Sequence, residues 1–123
     1  MTRKTSVLII EDNALVRIAS TEMLTDSGFA ATAVENAEEA NRTLQAERFD
    51  AALLDLMLPD ADGAEILKEL KTDEDTNAIP VVVLTNLSDK ETVSKIIAAG
   101  GKEYLVKADW SINEVVNKIK ASL

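Results

Sequence analysis

Five side chains of this 123-residue chain stand where short apolar runs stop. Glu11 and Asp12 follow Val7 to Ile10, Asp55 follows Ala51 to Leu54, Thr85 follows Val81 to Leu84, and Lys107 follows Tyr104-Leu105-Val106. Carboxylates gathered in one place repel each other unless a cation joins them. Oxygen-only donors suit a hard divalent ion such as Mg²⁺, which keeps several waters and needs only one or two protein carboxylates. A metal of that kind gives a phosphoryl group reason to come. The Lys107 ammonium would pair with one phosphoryl oxygen as a point charge, and the Thr85 hydroxyl would donate to another. Aspartate is a nucleophile that forms acyl phosphates, and Asp55 stands in the middle of the group. The competing reading is structural: Asp55 begins an ordinary turn, and Lys107 salt-bridges Asp12 or Asp55. Buried charge clusters are weak sources of stability, which counts against it.

Composition narrows the chemistry. The chain has no histidine and no cysteine, so a Ser-His-Asp triad, thiolate chemistry, a disulfide framework and an ordinary zinc site are all excluded. Twenty-two acidic against thirteen basic residues give a net charge of −9, which argues against direct nucleic-acid binding. No apolar run approaches the ~20 residues of a membrane span, and Val7 to Ile10 is too short for a signal-peptide core. With 46% hydrophobic residues, the expectation is one domain with its own core, over 1–123, in the cytoplasm.

The elements that would carry these residues alternate regularly. Val7 to Ile10 reads as a buried strand, and Asn13 then caps a helix over roughly 14–27, with Leu15, Ile18, Ala19 and Met23 as its apolar side and Gly28 as its stop. Phe29 to Val34 is a mixed strand suited to a sheet edge. Asn36 precedes a helix over 37–46, with Glu39 in capping-box register. Phe49 to Leu54 is continuous and apolar, as in a strand buried on both faces. A helix over 64–71 offers Ile66, Leu67 and Leu70. Pro80 opens the next strand, where its missing N–H is tolerated. Ser88 with Glu91, and Ser111 with Glu114, are further capping boxes, before helices over about 90–99 and along the C-terminal segment that presents Ile112, Val115, Val116 and Ile119.

Five successive βα units imply an α/β fold: a parallel sheet, right-handed crossovers and helices on both faces. Open sheets of this kind carry their sites at the carboxyl ends of the strands. Glu11, Asp12, Asp55, Thr85 and Lys107 all fall there, whereas the second strand ends in the undistinguished Val34-Glu35-Asn36.

These pieces, VLIIEDN, LLDLMLPDADG, PVVVLTN and YLVK in that order, resemble the receiver domain of bacterial response regulators over essentially the whole chain. The resemblance implies a flavodoxin-like five-stranded sheet of order 2-1-3-4-5. It implies that Asp55 accepts a phosphoryl group from a histidine kinase or histidine phosphotransfer protein. Asp12 would bind Mg²⁺ directly and Glu11 through water, with Asp55 and the Met57 carbonyl as further ligands. Thr85 and Lys107 would hold the phosphoryl group, and Thr85 and Tyr104 would switch the surface made by the last two helices and the strand between them, where a downstream protein would bind. Such a protein is a phosphoacceptor, with at most weak self-phosphorylation from small donors and weak autodephosphorylation, and is a monomer or weak dimer.

The chain departs from the family pattern in two places. Ala108 follows Lys107 where proline is usual, so the expectation there is a trans bond, or a strained cis bond held by the loop. Asn86 follows Thr85 where a small residue is common. Trp110 is expected to pack in the loop after Lys107, with contact to a partner as the second reading. A phosphatase with an aspartyl nucleophile, of the haloacid-dehalogenase-like kind, would carry a second acid two residues after Asp55, and Met57 stands there instead. The remaining alternative is a receiver-like interaction module insensitive to phosphorylation. The chain is expected to be a stand-alone receiver or one excised from a longer protein.

Overall fold

The computed structural model describes residues 4–56, 58–60, 62–85, 90–100, 103–106 and 112–123, without the side chains of 85, 103–106, 112, 113 and 122. Strands β1 (Ser6–Ile10), β2 (Ala30–Val34), β3 (Ala51–Asp55), β4 (Val81–Thr85) and β5 (Glu103–Val106) alternate with helices α1 (Ala14–Asp26), α2 (Ala37–Ala46), α3 (Gly63–Thr72), α4 (Lys90–Ala98) and α5 (Ile112–Ser122). All strand pairs are parallel and the sheet order is β2-β1-β3-β4-β5, as the resemblance implied.

The continuous apolar runs follow from burial on both faces. Successive strand side chains point to opposite sides. Leu8 and Ile10 of β1, Ala52 and Leu54 of β3 and Val81 and Val83 of β4 join one core with Ile66, Leu67, Leu70 and Ile96. Val7 and Ile9, Ala51 and Leu53, and Val82 and Leu84 join the other, with Met23, Leu24, Val115, Val116 and Ile119. A strand that serves two cores has no polar face to show, so the alternation typical of a half-exposed strand is absent. Edge strand β2 keeps only Val34 buried, in line with its mixed sequence.

Most element boundaries match the sequence reading to within a residue or two. Phe49 is buried but precedes β3, and Asp55 is the last residue of that strand rather than the first beyond it. Gly28 takes φ +94° and Gly100 φ +95°, the left-handed conformation that ends a helix without penalty only at glycine.

The apolar side assigned to α1 requires correction. Met23 is buried, but Leu15 is 79% and Ile18 55% exposed, and Ala19 also faces water. The core side is instead formed by Ser20, Met23 and Leu24. Ser20 is fully buried on that side, and the Asn13 cap fixes where the first turn begins. Apolar residues occupy both sides of α1, so periodicity alone could not choose between them. Among the described residues, no helix is long and apolar enough to cross a membrane.

Candidate functional site

The parallel register sets the carboxyl rim. Ile10 pairs with Leu54, Asp55 with Leu84, and Thr85 with Val106, so the residues that follow β1 and the ends of β3, β4 and β5 reach one edge of the sheet. One carboxylate oxygen each from Glu11, Asp12 and Asp55 lies within 4.8 Å of the other two. Glu11 is 1% and Asp55 2% exposed, while Asp12 is open to water.

Local capping shapes the acid pair. The Glu11 N–H donates to the Val34 carbonyl at 3.0 Å, extending the β1–β2 ladder by one residue. Asn13 Oδ1 accepts the Leu15 and Val16 N–H groups at 3.0 and 3.2 Å, starting α1 in the manner expected of an asparagine cap. The Asn13 N–H in turn donates to Glu11 Oε1 at 3.1 Å, so the carboxylate is oriented from within its own turn.

Behind Asp55, the chain doubles back sharply. The Leu56 N–H donates to the Leu84 carbonyl at 3.2 Å, and the Gly63 N–H donates to the Leu56 carbonyl at 2.9 Å. Asp62 caps α3 by accepting the Ala64 N–H at 3.0 Å. Asp60 reaches across to the start of α2, where it accepts the Ala37 and Glu38 N–H groups at 2.9 and 3.2 Å. The Ala37 N–H holds the Asp60 carboxyl below the usual aspartate range; partial desolvation opposes this, and the Glu38 N–H and its own backbone N–H reinforce it.

Two contributors escaped the sequence reading. Arg17 Nη1 donates to the carbonyl oxygens of Glu11 and Asp12 at 3.0 and 3.2 Å, and Nη2 lies 3.7 Å from Glu35 Oε2. A local signal for this existed: Arg17 sits one helical turn after the Asn13 cap, and helical side chains lean toward the N-terminus. Asp60 had no such signal, because its partners lie in a distant segment. At α2 the capping box is modified. Asn36 Oδ1 accepts the Glu39 N–H at 2.9 Å as expected, but Glu39 Oε2 accepts the Glu35 N–H at 3.0 Å rather than that of Asn36.

The side chains of Thr85 and Tyr104, together with Met57, Lys107, Asn86, the 107–108 bond, Trp110, Ser88 and Ser111, lie outside the described residues.

Two buried carboxylates beside an open third make a pocket whose donors, among the described residues, are carboxylate oxygens, which suit a small hard cation. The molecule is thus of the class that joins a parallel sheet, with helices on both faces, to an acidic pocket at its carboxyl rim. Residues 7–120 match the response regulator receiver domain, and the chain belongs to that family.

Its relatives include the virulence transcriptional regulatory protein PhoP of Salmonella typhimurium, 34% identical over 115 residues that make up 94% of this chain and 50% of that protein. The phosphate regulon transcriptional regulatory protein PhoB of Pseudomonas aeruginosa is 32% identical over 118 residues, 96% of this chain and 51% of that one. The chain thus spans about half the length of the curated relatives it matches. The signal receiver domain of a signal transduction histidine kinase from Syntrophus aciditrophicus has the same fold, with a TM-score of 0.90 at 28% identity, covering 97% of this chain and 89% of that one. Members of this family are phosphoacceptor switches of two-component signalling rather than true enzymes. The acidic cluster is consistent with the magnesium site of receiver domains, and a histidine kinase is the partner the family implies.

Proposed function

We propose that Asp55 is the phosphoacceptor, and that Glu11, Asp12, Asp55 and the Met57 carbonyl hold the Mg²⁺ on which transfer depends. The observation that carries this reading is the convergence of the Glu11, Asp12 and Asp55 carboxylates within 4.8 Å, with Asp55 buried at the end of the central strand. When bound, the ion neutralises charge shared between the carboxylates and the phosphoryl oxygens.

An Asp55 carboxylate oxygen attacks phosphorus of a phosphohistidine on the kinase or phosphotransfer protein. A P–O bond forms, the P–N bond breaks, and the electron pair leaves on the imidazole nitrogen, which takes up a proton. Lys107 and Thr85 hold the transferred group. The new negative charge then biases Thr85 and Tyr104 and alters the face formed by α4, β5 and α5, where the downstream protein binds. Adjacent pairing of β4 with β5, Val83 opposite Tyr104 and Thr85 opposite Val106, supports a route from site to face. The exposed Leu15 and Ile18, on α1 just beyond the acid pair, support docking of the phosphodonor there.

Incubation with a small acyl phosphate and Mg²⁺ tests the assignment. The wild-type chain is expected to take up one phosphoryl group and Asp55→Asn none. Equal labelling of the two would end the reading. Labelling that leaves affinity for the downstream protein unchanged would instead favour a phosphorylation-insensitive module.

A further inference from the structure

The corner between β2 and α2 bears no evident chemistry, yet polar contacts from two loops converge on it. On one side, Glu11 is bonded through its N–H to the Val34 carbonyl, and Arg17 links the Glu11 and Asp12 carbonyls, at 3.0 and 3.2 Å, to Glu35. On the other, Asp60, in the loop that leaves Asp55, accepts the first N–H groups of α2, from Ala37 and Glu38. The corner itself is stiffened by two further bonds, Glu39 N–H to Asn36 Oδ1 and Glu35 N–H to Glu39 Oε2.

We infer that the β2–α2 corner is a positioning bracket for the acid pocket: through Arg17 and Asp60 it sets the separation of the acid pair from Asp55, and with it the affinity for the cation. The inference rests on the phosphoacceptor reading above. The acid pair and Asp55 stand at the starts of two different loops, and loops are the parts of a fold most free to yield. Mg²⁺ tolerates little deviation from its short octahedral bonds, so loops restrained before it arrives bind it more tightly. Both latches use an ionised group against two backbone dipoles, which makes them stronger than neutral hydrogen bonds. The Arg17–Glu35 pair is long and partly exposed and adds little by itself; the two carbonyl bonds are the substance of that latch. Neither residue touches the cation, so both are positioning residues.

The test uses magnesium chloride alone, titrated calorimetrically into the full chain and into Arg17→Ala, Arg17→Lys and Asp60→Ala. Arg17→Ala and Asp60→Ala are each expected to raise the Mg²⁺ dissociation constant about tenfold. Arg17→Lys is expected not to restore it, because one ammonium cannot span both carbonyls and Glu35. The Mg²⁺ concentration that half-saturates labelling by a small acyl phosphate rises by the same factor, while the rate at saturating Mg²⁺ stays unchanged. That split separates positioning from general loss of structure, which thermal melts without metal monitor independently. If Arg17→Ala does not fold, Asp60→Ala and Arg17→Lys carry the comparison. A wild-type chain that binds no Mg²⁺ would overturn the functional reading itself. Variants that bind Mg²⁺ as the wild type does, whatever their melting temperature, would overturn the bracket alone.

Discussion

Gly63 closes directly on Leu56. Its N–H donates to the Leu56 carbonyl, and a Cβ at position 63 would stand against Leu56 Cα, 2.7 Å from the Leu56 oxygen and 2.8 Å from that of Asp55. All of these are backbone atoms, so no flexible side chain can give way. Gly63→Ala is therefore expected to displace the loop behind Asp55, costing about 1–3 kcal/mol of stability. Labelling by a small acyl phosphate should slow by about tenfold or more, because the nucleophile moves with its strand end. Urea melts and labelling rates check both. Wild-type values for Gly63→Ala would show that the turn relaxes freely.

Magnesium should stabilise the fold by linkage, since it binds the assembled pocket and not the separated carboxylates of the unfolded chain. At a concentration ~100 times its dissociation constant the gain is about 2.7 kcal/mol. Melting curves with and without Mg²⁺, and after addition of a chelator, measure it. Asp12→Asn is expected to remove most of the gain while leaving the metal-free melting temperature little changed or higher, because it also removes a repulsive charge. An equal Mg²⁺ response from Asp12→Asn would place the cation elsewhere.

Asp60 gives a pH signature with a definite sign. Its folded-state value is depressed below the ordinary 3.8, principally by the Ala37 N–H. A depressed carboxyl contributes stability that is fully present above the unfolded value and disappears as pH falls through the folded one. Asp60→Asn keeps an acceptor for one N–H but turns an amide group toward the other. The variant should thus melt below wild type by a constant margin at neutral pH. The margin narrows only when the pH drops under about 3.8. A margin already gone at about pH 5 would mean that another group produces it.

The outward side of α1 predicts a separation between donors. Leu15→Asp and Ile18→Asp remove exposed apolar surface and touch neither core, so stability should change by no more than about 0.5 kcal/mol. Labelling by a small acyl phosphate should be unaffected, whereas transfer from a histidine-phosphorylated kinase should slow by about tenfold or more. Equal loss with both donors would assign the effect to the pocket, and no loss with either would remove α1 from the docking surface.

Much of this molecule is readable along the chain. Val7 to Ile10, Ala51 to Leu54 and Val81 to Leu84 are apolar without a break because strands of a parallel sheet are covered on both faces. The abrupt change to Glu11-Asp12 or Asp55 marks the carboxyl ends of β1 and β3, where the acid pocket lies. Asn13, Asn36 and Gly28 punctuate the helices through local bonds and local dihedral angles. Strand identity, helix starts and the residues at the carboxyl rim are thus properties of neighbouring residues, and the linear order suffices to define them.

Three things needed the folded chain. Which side of α1 meets the sheet was undecidable from Leu15, Ile18, Met23 and Leu24, since apolar residues lie on both sides; in the folded chain it is the side of Ser20, Met23 and Leu24. The bonds of Asp60 to Ala37 and Glu38 join segments whose separation in sequence carries no local trace. Above all, Glu11, Asp12 and Asp55 share a pocket only because β1 lies beside β3, and adjacency of strands is a long-range outcome of how two helical layers cover one sheet. Side-chain type could specify the chemistry, but only the order of strands could bring the charges together.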